Sequence, residues 1–90
     1  MEVRYSRKAE SDLLFWSKSG NKRIVKKISE LIYAIQQNPY DGIGNPEALK
    51  HELFGYWSRR IDSEHRIIYQ VVDENTIEIL NIISLKGHYE

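Results

Sequence analysis

Glu47, Lys50 and His51 stand close together in the chain, and Arg59, Arg60, His65 and Arg66 follow across one presumed hairpin. His88 and Tyr89 complete the set, just beyond the last apolar run. Pooled, these types meet the needs of RNA cleavage by internal transfer. In that reaction a base takes the proton of a ribose 2′-OH, the oxygen attacks the adjacent phosphorus, and an acid protonates the departing 5′-oxygen. Negative charge builds on the phosphoryl oxygens, so fixed cations stabilise it, and arginine adds bidentate geometry. The nucleophile comes from the substrate, so this chemistry requires no metal and no cofactor.

Glu47 suits the base, although a carboxylate is a weak base at neutral pH. Its plainer reading is a solvated surface glutamate. Arg66 opens a strand that otherwise reads as core, and either lines a functional face or sits at a sheet edge. Arg59 and Arg60 are neighbours, so in a regular strand they face opposite sides and at most one joins a site. Histidine titrates near neutral pH, which would let His88 act as acid or base. A terminal histidine is also commonly idle. Tyr89 offers stacking or a phosphate hydrogen bond, or else packs the tail against the body. Spacing argues against a zinc site from His51, His65 and His88, since no pair falls at i, i+4 of one helix and no cysteine assists.

The elements that must position these residues are legible as periodicities. Glu2 to Tyr5 alternates as a short strand, and Ser6 is a helix N-cap. Ala9, Leu13 and Trp16 then form one apolar stripe, which Ser19-Gly20-Asn21 ends. A second helix runs from about Lys22 to Gln37, with Ile24, Ile28, Leu31 and Ile35 on one face, and stops before Pro39. Tyr40 to Pro46 is an irregular connection. Tyr56–Ile61, Arg66–Val72 and Thr76–Ile83 read as strands of an antiparallel meander, joined by turns at Asp62-Ser63-Glu64-His65 and Asp73-Glu74-Asn75. The predicted class is α+β: a short N-terminal strand and two helices packed on one face of an antiparallel sheet.

Composition bounds the rest. Ninety residues, 41% of them hydrophobic, suit one domain spanning 1–90 with one modest core. With no cysteine, disulfides and thiolate chemistry are excluded. No apolar run approaches the length of a membrane span and no signal peptide is evident, so the expected location is the cytoplasm. Thirteen basic and thirteen acidic residues cancel, yet Lys18, Lys22, Arg23, Lys26 and Lys27 form one basic run and Arg59, Arg60 and Arg66 another. The first run reads as the wet face of a helix, and Trp16 and Trp57 as core or interface residues.

The segment from Asn45 to Tyr69, with Pro46-Glu47, Leu49-Lys50-His51, Trp57-Ser58-Arg59-Arg60 and Glu64-His65-Arg66, resembles the signature region of YoeB-type toxins. These are RNases of bacterial toxin–antitoxin pairs, related to RelE. The run Lys22 to Ile32 resembles the family's second helix, and His88-Tyr89 its terminus. The resemblance implies that Glu47 is the general base, Arg66 the phosphate stabiliser, His88 the general acid and Tyr89 a support for the substrate. Lys50 and Arg60 match basic positions used near the phosphate, while His51 and His65 lie outside the core site. It further implies metal-independent cleavage of messenger RNA in the ribosomal A site, leaving a 5′-hydroxyl and a cyclic or 3′-phosphate. The implied partners are the ribosome, a YefM-like antitoxin, a second copy of the chain as homodimer, and operator DNA through the antitoxin complex only.

Overall fold

The computed structural model describes residues 1–84. Its elements are β1 (Glu2–Tyr5), α1 (Arg7–Lys18), α2 (Lys22–Gln37), β2 (Glu47–Ala48), β3 (Trp57–Arg60), β4 (His65–Asp73) and β5 (Thr76–Ser84), with a 3-10 turn at His51–Leu53 between β2 and β3. The strands form one sheet in the order β1-β5-β4-β3-β2. The meander β3-β4-β5 is antiparallel as expected, and β2 extends it antiparallel to β3. One detail differs from the expectation. β1 joins the far edge of β5 in parallel, so the sheet is mixed. Strands that lie side by side in parallel cannot be joined by a tight turn, and here two helices and the meander separate β1 from β5.

Both helices begin at capped N-termini. The Ser6 hydroxyl accepts from the Ala9 amide at 2.9 Å, and the Asn21 side chain accepts from Ile24 at 3.2 Å, each satisfying one orphan donor. α2 buries Ile24, Ile28, Leu31 and Ile35, one stripe at helical spacing, while Lys22 and Lys26 stay exposed. That stripe meets Ile67 and Tyr69 of β4 and Ile77, Ile79 and Ile82 of β5, with Leu13, Trp16 and Trp57 packed on the margin. Residues 77, 79 and 82 cannot share a face of a regular strand. A shift in pairing between Ile68 and Tyr69, where Leu80 is passed over, rephases β5 and brings Ile82 to the core.

α1 also closes an exposed edge. β1 stops at Tyr5, so β5 beyond Ile79 has no strand on that side. Ser6 donates from its hydroxyl to the Leu80 carbonyl, Asp12 Oδ2 accepts from the Ile82 amide at 2.8 Å, and Trp16 Nε1 donates to the Ile82 carbonyl at 3.5 Å. Side chains of a helix thus take up backbone groups that a missing strand would have paired.

The connection after α2 is fixed by one side chain. Arg59 is wholly buried, and its guanidinium donates to the carbonyls of Asn38, Asp41 (2.9 Å) and Ile43 (3.1 Å) and to the Tyr69 hydroxyl (3.2 Å). The Tyr69 hydroxyl in turn donates to the Pro39 carbonyl at 2.6 Å. Burial raises the Tyr69 pKa, against the lowering effect of the Arg59 hydrogen bond and charge, so the phenol stays a donor. Gly44 allows the chain to close onto β3. Its φ is +85°, and an added Cβ would lie 2.7 Å from Leu31 Cδ2 and 3.2 Å from the Arg60 carbonyl.

Candidate functional site on the open face of the sheet

The β3–β4 turn sets the geometry of the site. Ile61 donates to the His65 carbonyl at 2.9 Å, while the Asp62 carboxylate accepts from the amides of Glu64 and His65, both at 2.8 Å, and from His65 Nδ1 at 3.0 Å. The turn places Arg60 opposite Arg66 and Ser58 opposite Ile68. Residues directly opposite share a face. Trp57, Arg59, Ile67 and Tyr69 therefore turn to the helices, and Ser58, Arg60, Arg66 and Ile68 turn away from them. This resolves the choice between the adjacent arginines: Arg59 is consumed by the core, and Arg60 is exposed on the same face as Arg66.

β2 adds Glu47 to that face, directly opposite Ser58. One row then crosses four strands, Glu47, Ser58, Ile68 and Asn81, with Arg60 and Arg66 in the row beside it. Arg66 Nη1 lies 3.5 Å from Glu47 Oε1 and donates to Ser58 Oγ at 3.3 Å. Glu47 is the open partner, with its side chain 56% exposed against 13% for Arg66. Carboxylate and guanidinium thus meet at the rim of the sheet. Among the described residues, Arg66 Nε and Asn81 Oδ1 are buried and have no hydrogen-bond partner. A buried polar group left without a partner costs about 1–3 kcal/mol.

The other sequence candidates divide. Lys50 is exposed three positions past Glu47, at the start of the 3-10 turn, and no hydrogen bond or ion pair ties it to Glu47 or Arg66 among the described residues. His51 is exposed beside it with φ +58°, a left-handed conformation uncommon outside glycine. His65 faces the helices instead, its ring edge-on to Trp16 at 4.9 Å and held by Asp62. The histidines at 51 and 65 therefore do not converge. His88 and Tyr89 lie outside the described residues. Sequence reasoning missed Ser58 and Asn81. Their signal existed only in register, once the turn and the rephasing of β5 were known.

Asp62 makes the turn pH-sensitive. Partial burial raises its pKa, but hydrogen bonds from Glu64, His65 and the His65 ring outweigh this and leave it lowered. A depressed carboxyl contributes stability that is complete above its ordinary range, near 4, and is lost as pH falls through the folded value. Asp62→Asn keeps the acceptor and removes the charge. Its denaturant midpoint is expected to fall below wild type at pH 6, with the gap closing as the medium is acidified below pH 4. A gap that widens on acidification would contradict the assignment.

The match to known proteins covers nearly all of the chain. The model of a family described as the YoeB-like toxin of bacterial type II toxin–antitoxin systems matches residues 5–89. Toxin YoeB of Escherichia coli strain K12 is 44% identical over 89 residues, 99% of this chain and 100% of that one. A solved YoeB/ParE toxin from Agrobacterium tumefaciens superposes with a TM-score of 0.88 at 34% identity, over 99% of this chain and 100% of that one. A Staphylococcus aureus YoeB–YefM complex contains a chain with TM-score 0.83 and 42% identity, covering 99% of this chain and 98% of that one. The S. aureus YoeB has also been solved as a dimer. The two-helix, five-strand architecture is thus the α+β fold of solved bacterial toxins. The chain belongs to the YoeB-like toxins of bacterial type II toxin–antitoxin systems.

Proposed function

We propose that this toxin is a metal-independent endoribonuclease that inhibits translation by cutting messenger RNA in the ribosomal A site. One observation carries the reading: Glu47 and Arg66 sit 3.5 Å apart on the face left open by the helices, and the guanidinium retains a buried, unpartnered Nε donor. A general base and an anion-binding cation are thereby adjacent, as internal transfer requires.

In this reading Glu47 takes the 2′-OH proton as the ribose oxygen bonds to phosphorus. The P–O5′ bond breaks, and His88 returns a proton to the leaving oxygen. The products are a 5′-hydroxyl and a 2′,3′-cyclic phosphate, which water can open to a 3′-phosphate. Arg66 neutralises charge on the phosphoryl oxygens, for which its guanidinium supplies charge-assisted hydrogen bonds. Arg60 and Lys50 add positive charge at the rim, and Tyr89 supports the substrate. The ribosome supplies much of the RNA binding, which suits a chain of zero net charge. A YefM-like antitoxin neutralises the toxin, a homodimer is the second assembly, operator DNA is reached through the antitoxin complex, and the setting is the cytoplasm. The solved S. aureus complex and dimer support the first two assemblies.

The deciding experiment maps the RNA ends produced in a metal-free reaction with purified ribosomes and a defined messenger. Wild type is expected to make one A-site cut with a 5′-hydroxyl, and Glu47→Gln to slow it about 100-fold or more. Intact messenger with tight ribosome binding would replace the enzyme by a binding module. A 5′-phosphate at the cut would rule out attack by the 2′-oxygen.

A further inference from the structure

We propose that Ser58 is the positioning residue of this site, holding the Arg66 guanidinium in the plane and at the height where it meets both Glu47 and a phosphate. The inference rests on the ribonuclease reading above. Ser58 is 1% exposed, so its hydroxyl is built into the sheet rather than offered to solvent. It stands directly opposite Glu47 in the β2–β3 pairing and accepts from Arg66 Nη1 at 3.3 Å. The same nitrogen faces Glu47 Oε1 at 3.5 Å, so the two hydrogens of Arg66 Nη1 have an exposed carboxylate and a buried hydroxyl as their neighbours. An arginine side chain has many rotamers, and a fixed acceptor helps to select one of them. Ile68, wholly buried in the same row, closes the other flank and leaves the hydroxyl as the polar stop for Nη1.

The electrostatics point the same way. Glu47 alone would draw the arginine onto itself and neutralise both groups. A neutral acceptor at 3.3 Å engages one Nη1 hydrogen, while Glu47 Oε1 stands farther from the same nitrogen at 3.5 Å. Alanine would keep the packing and remove the acceptor alone, so its effect reports on position rather than on folding.

The test is a double-mutant cycle in single-turnover cleavage of ribosome-bound messenger, using wild type, Ser58→Ala, Arg66→Lys and the double variant. Alongside it, the Arg66 Nε–Hε signal is followed by NMR in wild type and Ser58→Ala. Ser58→Ala is expected to lower the maximal rate about 10- to 100-fold, since small misplacements of a catalytic group have effects of that order. The half-saturating ribosome concentration should not move, and the Arg66 signal should broaden and exchange faster. In the Arg66→Lys background the further loss should nearly vanish, because the two residues act as one unit. An equal loss in both backgrounds, or cleavage at the wild-type rate, would overturn the proposal. Should wild type itself leave RNA intact, the ribonuclease reading fails separately. An Arg66 signal unchanged by Ser58→Ala would refute the positioning role in either case.

Discussion

Arg66→Ala is expected to leave a folded chain that cleaves messenger about 100- to 1,000-fold more slowly, the usual loss when one preorganised charge at a developing oxyanion is removed. The folding expectation follows from its neighbours. Glu47 is more than half exposed and returns to water when its partner goes, and Ser58 loses one weak hydrogen bond of roughly 1 kcal/mol. Removing the guanidinium also deletes a buried donor without an acceptor, which offsets part of that loss. The catalytic expectation follows from the same atoms, because no other described cation lies within ion-pair distance of Glu47. Arg60, across the strand pair from Arg66, is a second positive charge on the same face and is expected to support the residual rate. Cleavage rate and far-UV melting measured on one preparation check both halves. A folded variant that cuts as fast as wild type would remove Arg66 from the mechanism.

Arg59→Ala has the opposite signature, a loss of about 3–5 kcal/mol in unfolding free energy with any activity loss secondary to it. Arg59 is 0% exposed, yet all its hydrogen-bond acceptors are neutral: three loop carbonyls and the Tyr69 hydroxyl. Truncation leaves those acceptors facing a cavity, and each buried polar group without a partner is costly. A domain of this size has on the order of 5–15 kcal/mol in total, so the variant should stand near its unfolding threshold. Lysine is not a remedy, because one ammonium cannot match the spread of a fork that reaches Asn38, Asp41, Ile43 and Tyr69 together. Urea titration of Arg59→Ala and Arg59→Lys at pH 7 checks this. Midpoints within experimental error of wild type would show that the loop stands without its arginine.

The two arginines illustrate what a sequence can tell and what it withholds. Helices, strands and turns were legible because each follows from periodicity or from a residue with local chemistry, such as Ser6 and Asn21 at the caps. That Arg59 and Arg60 face opposite ways also followed from strand geometry. Which of them turned inward did not, because that depends on the register fixed by the Asp62 turn. Glu47 and Arg66 could be named as candidates from their types and from a family likeness, but their approach across three strands is a long-range fact. The parallel place of β1, the two-residue strand β2 and the roles of Ser58 and Asn81 were invisible for the same reason. For β5 even the local alternation misleads, since its pairing shift puts Ile79 and Ile82 on one face.

The position of β5 has a consequence for how the protein comes into being. It is the last strand described, yet it lies inside the sheet, between β1 and β4, and it supplies Ile77, Ile79 and Ile82 to the core. Ser6 must find Leu80, a separation of 74 residues. A nascent chain can form its two helices early, but the sheet they pack on lacks Ile77, Ile79 and Ile82 until residues 76–84 have been made. Closure of such distant pairings is the slow step of folding. The sheet is therefore expected to stay incomplete until β5 is available to pair with both β1 and β4.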